Sequence, residues 1–97
     1  MITFEKAVEI VKQYILKHFP EGGNADLCCY IGEIGNWWKF TACGPNGEGL
    51  TGALGILVSK ETGETAFSCR PNATHPVEKE NKYVPLNSGK HIKIKIE

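Results

Sequence analysis

The stretch that decides the fold is residues 3–20, TFEKAVEIVKQYILKHFP. Phe4, Ala7, Val8, Val11, Tyr14, Ile15 and the His18/Phe19 pair recur at a spacing of three and four, so they form one stripe on a helix. Glu5, Lys6, Glu9, Lys12, Gln13 and Lys17 take the opposite side, and Ile10 and Leu16 widen the apolar stripe enough to lie on a sheet. Thr3 is placed to cap the first turn with its hydroxyl. Glu5 suits the positive start of the helix and Lys17 its negative end. Pro20 and Gly22-Gly23 should stop it, which predicts a helix over 4–19.

After these glycines the period changes to two. Ala25–Gly32 reads as a strand, Glu33-Ile34-Gly35-Asn36 as a turn and Trp37–Cys43 as the returning strand. Alternation puts Trp38, Phe40 and Ala42 on one face, suited to lie under the helix. Trp37, Lys39, Thr41 and Cys43 fall on the other, whose mixed character suits a sheet wetted on one side. Gly44–Gly52 is a glycine-rich connection. Leu54–Ser59 and Glu64–Cys69 form the clearest hairpin, with Leu54, Ile56 and Val58 inward and Phe67 and Cys69 opposing them. The linking Lys60-Glu61-Thr62-Gly63 predicts a type I turn with a left-handed Gly63 and a G1 bulge. Residues 70–90 show little period and contain Pro71, Pro76 and Pro85, so they read as a long loop, while Ile92–Ile96 alternates with lysines as an edge strand should.

One helix followed by strands predicts a single α+β domain over 1–97. The helix should pack on one face of an antiparallel sheet of four to five strands, in a cystatin-like or similar helix-on-sheet arrangement.

Composition narrows the function classes. Eleven basic and eleven acidic residues cancel, and Arg70 is the single arginine, which argues against nucleic-acid binding. No run approaches a membrane span, and the opening Met1–Lys6 lacks the pattern of a signal peptide, so the expected location is the cytoplasm with its four cysteines reduced. A Cys43–Cys69 disulfide would need export.

No motif spells out chemistry. The glycine-rich loop lacks the Gly-Lys-Ser/Thr and following helix of a phosphate loop. Cys28 and Cys29 are adjacent on a strand and point to opposite faces, and no Cys-x-x-Cys or His-x-x-x-His occurs, so no metal or cofactor is expected. Cys69 and His75 could meet across a short loop as nucleophile and base, which keeps a small thiol enzyme open as an alternative, but nothing matches a nucleophile elbow. Asn72-Ala73-Thr74 is a glycosylation sequon without an export signal. Tyr30 and Trp37 should lie on the sheet side away from the helix, either as anchors for a partner or covered by Val77, Tyr83 and Leu86 from the long loop.

Three stretches carry a family resemblance: Ile2-Thr3-Phe4-Glu5-Lys6-Ala7, Gly35-Asn36-Trp37-Trp38-Lys39-Phe40, and Leu54–Glu64 with its Lys-x-Thr-Gly turn. Over residues 1–70 the chain resembles the small bacterial YrhB-like proteins, which are grouped with immunity proteins of polymorphic toxin systems. The resemblance implies a non-enzymatic protein that neutralises a toxin domain by direct binding, with no catalytic residue to transfer. Such a protein needs a rigid surface, anchors that become buried and a charged rim. Expected exposure alone nominates Trp37, Lys39, Arg70 and His75 as partner contacts. A peptidase-inhibitor-like or propeptide-like module and a chaperone-like binder remain alternatives.

Overall fold

The computed structural model describes residues 1–18, 27–44, 46–48, 54–69 and 76–95. Helix α1 spans Phe4–His18. Thr3 caps it as its chemistry suggests: the Lys6 amide donates to Thr3 Oγ1 at 3.1 Å, and the Ala7 amide donates to the Thr3 carbonyl at 3.0 Å. The strands are β1 (Leu27–Ile34), β2 (Trp37–Ala42), β3 (Leu54–Ser59) and β4 (Thr65–Cys69). A short helix α2 (Pro76–Glu80) precedes β5 (Tyr83–Pro85), and a 3-10 turn over Asn87–Gly89 precedes β6 (Ile92–Ile94).

The helix-on-sheet architecture is as expected, but the described sheet has six strands in place of four to five. Its order is β4-β3-β2-β1-β5, with β6 also on β1, and every pairing is antiparallel. β1 runs through Ile34 because Glu33 and Ile34 pair with Trp38 and Trp37, leaving Gly35-Asn36 as a two-residue turn. Gly35 has φ +56° and Asn36 does not share the positive sign, the pattern of a type II′ hairpin. The expected start of β1 at Ala25, the helix stop at Pro20 and most of the Gly44–Gly52 connection lie outside the described residues.

The β3–β4 turn keeps its left-handed Gly63, at φ +77°, but closes one residue wider than a type I turn. The Gly63 amide donates to the Ser59 carbonyl at 2.9 Å, an i to i+4 closure. Ser59 Oγ supports it by accepting from the Glu61 and Thr62 amides at 3.3 and 3.4 Å. In the stretch read as a loop, α2, β5 and the 3-10 turn follow in turn from residue 76 onward, and β6 falls inside the strand expected at Ile92–Ile96.

The core lies between α1 and one sheet face. Ala7 and Val11 pack with Cys29, Ile31, Trp38, Phe40, Ile56, Val58 and Ile94. Phe4 stacks on Phe40 with centroids 6.0 Å apart and meets Trp38 edge-on at 5.9 Å. This is the face expected to lie under the helix.

Candidate partner-binding face

Residues directly opposite one another in an antiparallel pair share a face. The register therefore builds the outer face, away from α1, in rows. Tyr83, Ile34, Trp37 and Ser59 form one row. Pro85, Gly32, Lys39, Leu57 and Ala66 form the next. Tyr30, Thr41 and Gly55 form a third, and Lys93, Cys28 and Cys43 lie at the far end.

This face is drier than a sheet wetted on one side. Leu57 is 0% exposed, and Ile34, Cys28, Cys43 and Ser59 are buried. Tyr83 supplies part of the cover, because its ring occupies the space beside Gly32 that a side chain there would fill. At the other end the Tyr30 hydroxyl donates to the Gly47 carbonyl, and the Tyr30 ring meets His91 edge-on with centroids 5.9 Å apart. Gly47, at φ +83°, has His91 Nδ1 and the Tyr30 hydroxyl 2.8 and 2.9 Å from where a Cβ would stand, so the short turn around it lies directly against both rings.

Of the four nominated residues, two fall in the described part. Trp37 is half-buried on the outer face. Lys39 shares that face at its centre but is only 9% exposed, so its nomination as an exposed contact gives way to a role beneath the surface. Arg70 and His75 lie outside the described residues, as do the side chains of Cys69 and Val77, so the Cys69–His75 pairing is not built by the described chain. Tyr83 is the member of the face that the sequence did not single out as a contact. It is 38% exposed and stands in the Trp37 row. Its signal was a lone tyrosine in an aperiodic stretch, which carries no face until the pairing with Ile34 is known.

Cys28, Cys29 and Cys43 are free thiols and buried. Burial pushes the Cys29 thiol up to about 12, with Cys43 and Cys28 adding to the effect, and burial likewise raises Cys43. A nucleophilic thiol needs the opposite shift. Among the described residues no three His, Cys, Asp or Glu side chains gather as a metal-binding group, and no helix is long and apolar enough to cross a membrane. No family model matches the chain, and neither the curated proteins nor the solved structures yield a match.

Proposed function

We propose that this chain is a non-enzymatic binding protein, an immunity protein of the bacterial cytoplasm that neutralises a toxin domain by covering it. The observation that carries the reading is the placing of Trp37, Tyr83 and Tyr30 on one side of a sheet whose other side is occupied by the core with α1. Partly exposed aromatic side chains on a rigid scaffold are the usual anchors of a protein interface, since they bury much area and lose few rotamers. The toxin as partner rests on the resemblance of residues 1–70 to YrhB-like proteins. Trp37 is the central anchor, Lys39 supports it from within the sheet, and Arg70 and His75 join it as rim contacts.

The test is titration with the toxin domain encoded beside this chain's gene. The expected result is a one-to-one complex, loss of toxin activity, and slowed amide exchange in β1, β2 and β5. Trp37→Ala should weaken the complex by about thirtyfold, the scale of a hot-spot truncation. Micromolar toxin that leaves amide exchange, and Trp37 fluorescence in a Trp38→Phe background, unchanged overturns the reading.

A further inference from the structure

The two edges of the sheet are treated differently. The β5/β6 edge carries Pro85, Lys93 and Lys95, residues that discourage strand pairing. The β4 edge, Thr65-Ala66-Phe67-Ser68-Cys69, carries no charge and no proline. Among the described residues no strand pairs with its outer side.

The hydrogen-bond phase says which backbone groups that edge offers. The Ser59 amide donates to the Glu64 carbonyl at 2.8 Å, so Ser59–Glu64 is a bonded pair. Bonded pairs alternate along an antiparallel ladder, so Leu57–Ala66 and Gly55–Ser68 are the next two. The amides and carbonyls of Ala66 and Ser68 are thus turned toward β3, and those of Thr65, Phe67 and Cys69 are turned outward. Phe67 adds a side chain on the helix side of the sheet that is 45% exposed, far more than its partner Ile56 at 2%.

We infer that β4 pairs antiparallel with β4 of a second copy of this chain, about a two-fold axis at Phe67. In that register each Phe67 is bonded to the other, and Thr65 is bonded to Cys69 of the second copy, so every outward group of the strand finds a partner. The two Phe67 rings become cross-strand neighbours and cover one another. A strand edge that is its own complement in hydrogen bonds and in apolar contact favours a second copy over an unrelated strand.

This inference is independent of the toxin reading, and its test uses no toxin. Sedimentation equilibrium of the full chain from micromolar to millimolar concentration should show a monomer–dimer equilibrium. Phe67→Pro removes the outward amide and the ring but no hydrogen bond to β3, so it should leave the β3–β4 ladder folded while abolishing the dimer. Amide exchange of the unaltered chain gives a check free of any variant: Thr65, Phe67 and Cys69 amides should slow as concentration rises, with Ala66 and Ser68 protected throughout. A monomer at millimolar concentration overturns the inference. So does a dimer that survives Phe67→Pro, or an exchange pattern independent of concentration.

Discussion

The ring of Tyr83 occupies the place that a Cβ on Gly32 would take, with the Tyr83 hydroxyl 2.6 Å from that point. β5 and β1 are paired at these positions, Tyr83 beside Ile34 and Pro85 beside Gly32, so the ring crosses from one pair to the next along the face. Gly32→Ala should therefore push the ring away. Overpacking of this kind costs about 1–3 kcal/mol, read as a lower midpoint in urea unfolding with an unchanged slope. In Tyr83→Ala the space is open, so Gly32→Ala should cost much less there. Equal costs in the two backgrounds would show that the ring and the glycine are not coupled.

Stability should fall in alkali, and Cys29 should account for a defined share. Its thiol is raised from 9.0 to about 12, first by burial and then by Cys43 and Cys28. The unfolded chain releases this proton near 9.0 while the folded chain holds it. The stabilisation is thus complete below pH 9 and is lost as pH rises toward about 12. Cys29→Ala lowers stability at neutral pH through the small cavity it leaves, but flattens the alkaline limb. Urea unfolding of both proteins at several pH values checks this, and parallel limbs would remove Cys29 as the cause. Iodoacetamide should label Cys29 slowly at neutral pH in the folded protein, for the same reason.

Lys60 joins three parts of the fold. Its ammonium lies 3.2 Å from Glu33 Oε1 and 5.4 Å from the centroid of Trp38, its amide donates to the Asn36 carbonyl at 3.0 Å, and its carbonyl accepts from the Ile2 amide at 2.8 Å. Lys60→Met keeps the stem and the backbone bonds and removes the charge. It should cost about 1 kcal/mol, the sum of a partly shielded ion pair and a cation–π contact. The difference between the two proteins should shrink in high salt.

The two helix-side turns give a paired prediction. Thr3→Ala removes the oxygen that accepts from the Lys6 amide and should cost about 1 kcal/mol, whereas Thr3→Ser should be close to neutral. Gly63→Ala should cost at least as much, because residue 63 sits at φ +77° and a Cβ there would stand 3.0 Å from Ile10 Cδ1. Thermal unfolding of the three variants ranks them.

Which parts of this structure could be read from the chain follows from where the period is long enough to define a face. Helix α1 has four turns of regular spacing and an identifiable cap, its start at Phe4 is the one expected, and its described residues Phe4–His18 lie within the expected span. The Trp38/Phe40 face is fixed by alternation alone. β5 is three residues long and contains a proline, so nothing local marks it as a strand; it exists because β1 offers Gly32–Ile34 as a template. Asn87 and Ser88 adopt left-handed φ of +53° and +55°; Asn tolerates that conformation, but nothing local marks the pair as adopting it. The outer face, which the sequence leaves open between wetted anchors and cover from the long loop, is decided by contacts of the same long-range kind. Leu57 and Lys39 are buried on that face, and the Tyr83 ring reaches it beside Gly32 from more than forty residues away in the sequence.

The pairing of β1 has a temporal side. One of its edges is completed locally by β2, but the other receives β5 and β6, formed from residues 83–85 and 92–94. During synthesis from the amino end, β1 therefore waits for almost the whole 97-residue sequence before its second edge closes. A nascent chain stalled before residue 83 holds a central strand open along its length, the condition under which a chaperone or a neighbouring nascent chain would compete for it.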